Sequence, residues 1–203
     1  MKKCIQLLVV TIIFSCTNNK TAFSQDTIAR EIVSYLDSLD GFSGAVLIAK
    51  DDHVLLQKSY GFAHLGHKVK NNTDTKFSYA SIGKSFTAVS IFQLIQAGKL
   101  SLDDPIGKFL PNYPNKVARD SITIRLLLMH RSGLADYFYS DKFLNSSKVK
   151  FRTIESLSDL YENEPLEFKP NEQFSYRNTN YIVLGRIIET VSKMPYEDYI
   201  KKQ

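Results

Sequence analysis

From Ile82 to Ile95 the chain carries a helix-length run with almost no polar face: Ile82, Phe86, Val89, Ile91, Phe92, Leu94 and Ile95. A helix so apolar is expected to be buried on most sides, so the rest of the chain must supply layers to pack on it. The flanking patterns say which layers. Upstream, Ala45 to Ala49 and Val54 to Ser59 are strand-like runs separated by Lys50-Asp51-Asp52-His53, a hairpin signal. Ahead of them, Thr27 to Leu39 sets Ile28, Ile32, Leu36 and Leu39 on one helical face. From Leu100 onward the pattern is loops and helices with little strand alternation. The expected class is α+β: an antiparallel sheet flanked by helices, plus an all-helical lobe.

The apolar helix opens on Phe77-Ser78-Tyr79-Ala80-Ser81-Ile82-Gly83-Lys84, which places a serine and a lysine at i and i+3 on one face. A serine hydroxyl is a poor nucleophile until a base takes its proton, and a lysine serves only while it is neutral. Burial and the positive end of the helix dipole both disfavour the ammonium. First-turn amides also leave N–H donors able to hold an oxyanion. The spacing alone does not select this reading, because Ser147-x-x-Lys150 repeats it in the polar stretch Asn145 to Lys150, read as a solvated loop. Locally, an N-cap serine followed by a snorkelling lysine accounts for Ser81 and Lys84 equally well.

A second element lies downstream. Tyr176-Arg177-Asn178 sits on a loop that runs into Ile182 to Glu189, a helix with apolar positions at 184, 187, 188 and 191. Loops fixed to rigid helices are where scaffolds usually place polar catalytic groups. Tyr113-Pro114-Asn115 and Tyr161-Glu162-Asn163 repeat the tripeptide, so its context is what discriminates.

Taken together these segments resemble the serine β-lactamase-like hydrolases, the group of class C β-lactamases, D-alanyl-D-alanine carboxypeptidases and related esterases. The resemblance also takes in Phe42-Ser43-Gly44-Ala45-Val46-Leu47-Ile48-Ala49-Lys50, Gly61-Phe62-Ala63, Leu100 to Pro105 and Leu127-Leu128-Met129-His130-Arg131-Ser132-Gly133-Leu134. All stand in the family's order from about residue 28 onward. It implies a β-lactamase/transpeptidase-like fold, Ser81 as acylated nucleophile, Lys84 as the base beside it, Tyr176 as partner in proton transfer, and Asn178 as a substrate-binding amide. It implies small-molecule or peptidoglycan-like substrates (amides, strained lactams or esters) and no cofactor. The alternative within the same fold is a non-catalytic ligand-binding protein or sensor.

One departure stands out. Members of that family carry Lys-Thr-Gly or His-x-Gly on a later strand, and no such element follows Tyr176 here. The expectation is therefore that residues 25–203 are the N-terminal part of such a domain, lacking the C-terminal strands of the sheet. By itself such a chain would be poorly folded and catalytically weak or inactive, since a lone hairpin is marginal in water.

Residues 1–24 read as a leader. Met1-Lys2-Lys3 precedes an apolar run from Ile5 to Phe14, too short for a membrane span. Two processing sites compete: Ala22-Phe23-Ser24 before Gln25, and Ile13-Phe14-Ser15-Cys16, an imperfect lipobox in which Cys16 would be lipidated and tether the protein to a membrane. The product is expected outside the cytoplasm, periplasmic or membrane-anchored. Both cysteines, Cys4 and Cys16, lie in this leader, so the folded part has none to pair. Without the leader the chain keeps 23 lysines and arginines against 21 acids, a net charge of +2 with no basic stripe, which argues against nucleic acid as a partner.

Other chemistries have less support. His64-Leu65-Gly66-His67 lacks a third metal ligand at a recognisable spacing. His130 reads as a structural side chain at the end of a helix from Ile124 to Met129, and no Gly-x-Ser-x-Gly elbow is present.

Overall fold

A computed structural model describes residues 25–202. The leader, its competing cleavage sites and Cys16 lie outside the described residues. The chain divides into two compact units, one ending at Phe77 and the other beginning at Ser78.

The first unit is built on a hairpin. Strand β1 (Gly44–Lys50) pairs antiparallel with β2 (His53–Tyr60), from Gly44 opposite Tyr60 to Lys50 opposite His53. Asp51 and Asp52 between them both adopt the left-handed conformation, φ 49° and 64°, as a two-residue turn matching strand twist requires. The register slips once, between Ile48 and Ala49, so the strands carry a bulge. Helix α1 (Gln25–Ser38) packs on β2, and Lys58 pairs with Asp37 at 2.7 Å. Leu39, expected on the helix's apolar face, falls beyond its last residue and is exposed, because the helix stops one position earlier.

A second ribbon, β3 (Phe62–His64) with β4 (Val69–Lys70), was not apparent from the alternation. Its two short strands are too brief to show a period, and His64-Leu65-Gly66-His67 forms its turn, where the His67 amide donates to His64 Nδ1 at 3.1 Å. Gly61 joins the two ribbons at φ +64°, and a Cβ there would lie 2.6 Å from the Ser43 side chain. That hydroxyl is held by the Phe62 amide at 3.1 Å and by Asn71 Nδ2 at 2.9 Å, so Gly61 is dictated by a close approach as well as by its dihedral. Val46, Ile48, Leu55 and Leu56 are only half-buried.

The second unit is helical, and among its described residues the only β contact is a bridge between Pro105 and Thr123. Its elements are α2 (Gly83–Gln96), α3 (Lys116–Ser121), α4 (Ile124–Leu128), α5 (Asp141–Leu144), α6 (Asn178–Ser192) and α7 (Tyr196–Lys202), with short 3-10 turns between them. α6 is the central post: Val183, Leu184, Ile187 and Ile188 are fully buried, and the helix packs against α2, α4 and α7. Around it gather Ile91, Leu94, Ile106, Ile122, Ile124, Leu127 and Leu134. The Leu100–Pro105 segment proves to be scaffold. Asp104 accepts from the Ser101 amide at 2.8 Å and from Lys108, while the Leu102 and Asp104 carbonyls receive Arg125 and Ile124 N–H at the start of α4.

α2 departs from expectation. Thr87, Ser90, Ile91 and Leu94 form its buried side, whereas Ile82, Phe86, Val89 and Phe92 are between 52% and 65% exposed. Small polar residues face inward because α2 lies close to α6 and α7, where Thr87 Oγ1 meets Tyr196 OH at 2.6 Å. Apolar content told that this helix would be packed, but not on how many sides.

Candidate active site

The site grows out of one tight turn. Ala80 is held at φ 44°, a left-handed conformation costing an L-residue about 1–2 kcal/mol, and begins a 3-10 turn over Ala80–Ile82. Ser81 follows on that turn with its side chain exposed, and α2 begins two residues later. Gly83 allows the turn to close, since a Cβ there would come within 3.1 Å of the Tyr79 ring.

Lys84, one helical turn on, donates from Nζ to Ser81 Oγ at 3.2 Å and to Asn178 Oδ1 at 2.9 Å. Tyr176 donates its phenol to the same Ser81 Oγ at 3.0 Å. Lys84 Nζ also lies 5.1 Å from the centre of the Tyr176 ring and 5.8 Å from that of Tyr181, within cation–π range. The four residues singled out by sequence, Ser81, Lys84, Tyr176 and Asn178, are thus brought into one hydrogen-bonded group by segments 94 and 95 positions apart. Lys84 is half-buried rather than wholly desolvated, as the open face of α2 entails.

Burial would push the Tyr176 phenol up, but hydrogen bonds with Lys84 and Ser81 and the lysine's charge outweigh it and hold the phenol below its ordinary range. The two other Tyr-x-Asn copies are unlike it. Tyr113 and Tyr161 are buried, with phenols pushed far up chiefly by desolvation, and Asn115 caps α3 by accepting from the Ala118 amide at 3.0 Å. The second Ser-x-x-Lys also separates cleanly, Ser147 to Lys150 being an exposed 3-10 turn.

Supporting groups complete the arrangement. His130 follows α4 at φ 55°, is nine-tenths buried, and lays its ring against Tyr176, centroids 4.4 Å apart, and against Tyr181 at 5.2 Å. Its Nδ1 accepts the Arg177 amide at 3.2 Å, so the neutral ring carries its proton on Nε2. Burial first, then the charge of Lys84, push this imidazole down. Its carbonyl accepts the Ser175 amide at 2.9 Å, tying both sides of Tyr176 to the end of α4. Asn180 reaches the same Nδ1 at 3.3 Å and accepts from Ser132 Oγ at 2.5 Å. Gly133, at φ +81°, is clamped against the other arm of this loop, where its carbonyl accepts the Glu167 amide at 2.9 Å. The structural role expected for His130 is thus a shelf beneath a site residue.

Asp136 was missed by sequence reasoning. It accepts from the Phe138 amide and, on its other oxygen, from both the backbone amide and Nδ2 of Asn178, each at 3.1 Å. Its signal is faint: one acid among many, 42 positions from its partner. Among the described residues there is no group of three or more His, Cys, Asp or Glu placed to hold a metal ion, and no helix is long and apolar enough to cross a membrane.

The fold agrees with comparisons to known proteins. The family model described as Beta-lactamase matches residues 28–203, and the chain belongs to that family. It is 38% identical over 162 residues to Penicillin-binding protein 4* of Bacillus subtilis, covering 79% of this chain and 35% of that protein. A penicillin binding protein from Bacillus halodurans superposes with a TM-score of 0.71 at 32% identity, covering 86% of this chain and 51% of that one. A D-amino acid amidase from Ochrobactrum anthropi gives a TM-score of 0.66 at 28% identity, covering 88% and 47%. The chain therefore spans about a third of the length of the curated relatives it matches and about half of the solved ones.

Proposed function

We propose that this chain carries the acylating machinery of an exported serine hydrolase that opens amide, β-lactam or ester bonds through an acyl-enzyme on Ser81. The observation that carries the reading is the pair of contacts on Ser81 Oγ, 3.2 Å from Lys84 Nζ and 3.0 Å from the Tyr176 hydroxyl, on an exposed residue. A hydroxyl bracketed by an amine and a phenol of depressed pKa has a route for its proton at neutral pH.

In the proposed sequence, Ser81 Oγ attacks the substrate's carbonyl carbon while its proton passes to the Lys84–Tyr176 pair. The carbonyl oxygen becomes an oxyanion, for which the Ser81 backbone amide is the candidate donor, since the Ile82 and Gly83 amides are taken by the Tyr79 and Ala80 carbonyls. Collapse expels the amine or alkoxide, which takes the proton back from Tyr176. Water, deprotonated by the same pair, then attacks the ester of Ser81; Ser81 Oγ leaves, takes that proton back from the pair, and the acid is released. Asn178, whose oxygen engages Lys84, offers its remaining amide N–H to a substrate carbonyl.

The names of the relatives, penicillin-binding proteins and a D-amino acid amidase, support a substrate class. A small-molecule or peptidoglycan-like acyl donor suits them, and a leader processed at Ser24 or lipidated at Cys16 would bring the protein to that substrate.

The test is to offer the 203-residue chain a chromogenic cephalosporin, a nitrophenyl ester and a D-alanyl-D-alanine peptide, following product release and acyl-enzyme accumulation together. Release that disappears in Ser81→Ala supports the reading and identifies the bond opened. An adduct that forms and never turns over would instead favour the ligand-binding protein or sensor.

A further inference from the structure

Asp136 lies immediately before the turn Tyr137–Tyr139 and is nine-tenths buried. The segment around it is buttoned to the start of α6: Thr179 Oγ1 donates to the Ala135 carbonyl at 2.7 Å and accepts from the Tyr137 amide at 3.0 Å. Arg177, the residue preceding α6, makes no side-chain cap, and the Asn178 amide at the helix start is taken by Asp136 instead. Three N–H donors therefore converge on one carboxylate, using both of its oxygens.

The consequence concerns the amide of Asn178. On one side stands a carboxylate, which only accepts; on the other stands Lys84 Nζ, which donates to Oδ1 at 2.9 Å. One orientation of the amide satisfies both, with Nδ2 toward Asp136 and Oδ1 toward Lys84. The opposite orientation sets oxygen against oxygen and N–H against N–H. We propose that Asp136 is a positioning residue that locks the orientation of the Asn178 amide, presenting its oxygen to Lys84 and leaving a single N–H for an acyl substrate. This deepens, and rests on, the reading of Ser81 as an acylated nucleophile.

The charge of Asp136 has a second effect of opposite sense. The titratable groups around Lys84 are the phenols of Tyr176 and Tyr181, the imidazole of His130 and this carboxylate. Asp136 pushes the Tyr176 phenol up, against the larger lowering effect of its contacts with Lys84 and Ser81. Replacing Asp136 with a neutral side chain should therefore slow acylation by misplacing the amide, yet move the acid limb of the pH–rate profile toward lower pH. A purely structural cap would not slow acylation in the folded fraction.

The experiment compares Ser81 labelling by a fluorophosphonate across pH in the parent 203-residue chain, Asp136→Asn, Asn178→Ala and the double variant. The expected result is a loss of about tenfold or more for Asp136→Asn at the plateau, a limb displaced to lower pH, and little further loss when Asp136→Asn is added to Asn178→Ala. Side-chain amide NMR of the parent supplies a readout without substitution: one Nδ2 proton of Asn178 should be protected from solvent exchange and its partner not. If the parent takes no label while that proton is protected, the nucleophile reading fails and the positioning role stands. Full-rate labelling of Asp136→Asn with an unmoved pH profile, or an Asn178 amide with both protons exchanging freely, would overturn the proposal.

Discussion

Lys84 Nζ and Asn178 Oδ1 lie 2.9 Å apart although 94 positions separate them in the chain. That contact joins the first turn of α2 to the first residue of α6. The amide oxygen holds the lysine beside Ser81, and the loop before α6 delivers the Tyr176 hydroxyl to Ser81 Oγ at 3.0 Å. The candidate site is therefore only as stable as the clamps on that loop.

Gly133 is one such clamp. A Cβ at this position would fall 2.1 Å from the Phe168 carbonyl oxygen, and its φ of +81° disfavours any L-residue. Gly133→Ala should cost roughly 3 kcal/mol or more, combining a left-handed penalty with a backbone clash. Urea titration would show the loss as a lower midpoint, and Ser81 labelling of the fraction still folded should fall as well, because residues 167–177 carry Tyr176.

The lysine's charge sets the titration of the phenol. Contacts with Lys84 and its charge lower Tyr176 against the effect of burial, so acylation should gain its base form at a pH below that of an ordinary tyrosine. In Lys84→Met this lowering is removed, and the acid limb of the labelling rate should move to higher pH while the plateau rate falls. A limb that stays in place would show that some other group supplies the proton acceptor.

His130 predicts a stability effect of definite sign. Its imidazole is pushed down by burial and then by Lys84, so the unfolded chain binds this proton more readily than the folded one. The folded state should lose stability as pH falls below about 6.5, the ordinary value, and through the depressed one. His130→Gln should flatten that part of the curve, measured as unfolding free energy between pH 7.5 and 5. It should also loosen Tyr176, whose ring rests on the imidazole with centroids 4.4 Å apart.

The two units should also differ in local stability. Val183, Leu184, Ile187 and Ile188 of α6 are fully buried, whereas the inward residues of the hairpin are only half-buried. Native-state hydrogen exchange should find the α6 amides among the slowest and those of β1 and β2 markedly faster. Equal protection across both units would contradict this account of the packing.

Much of this was legible beforehand because it depends on local pattern. The hairpin followed from two alternating runs around Asp51-Asp52, whose side chains tolerate the left-handed conformation the turn needs. The α6 stripe at 184, 187 and 188 matched the buried face. Ser81, Lys84, Tyr176 and Asn178 could be picked out because their spacing and their neighbours, together with a family resemblance, set them apart from the chance copies at 113, 147 and 161. The outward face of α2 was not legible, since periodicity records how apolar a helix is and not what lies on each side of it. Nor was Asp136: its role arises only when residues 42 positions apart are brought within 3.1 Å, and a single acid in a loop carries no mark of that.

The central claim is that Ser81 is activated by the two groups that touch it, and intact-mass analysis after exposure to a fluorophosphonate tests it most directly. The account predicts one adduct per chain, mapped to the peptide containing Ser81, absent in Ser81→Ala and strongly slowed in Lys84→Met and Tyr176→Phe. An adduct that persists unchanged in Ser81→Ala, or one mapped to a residue other than Ser81, would contradict it.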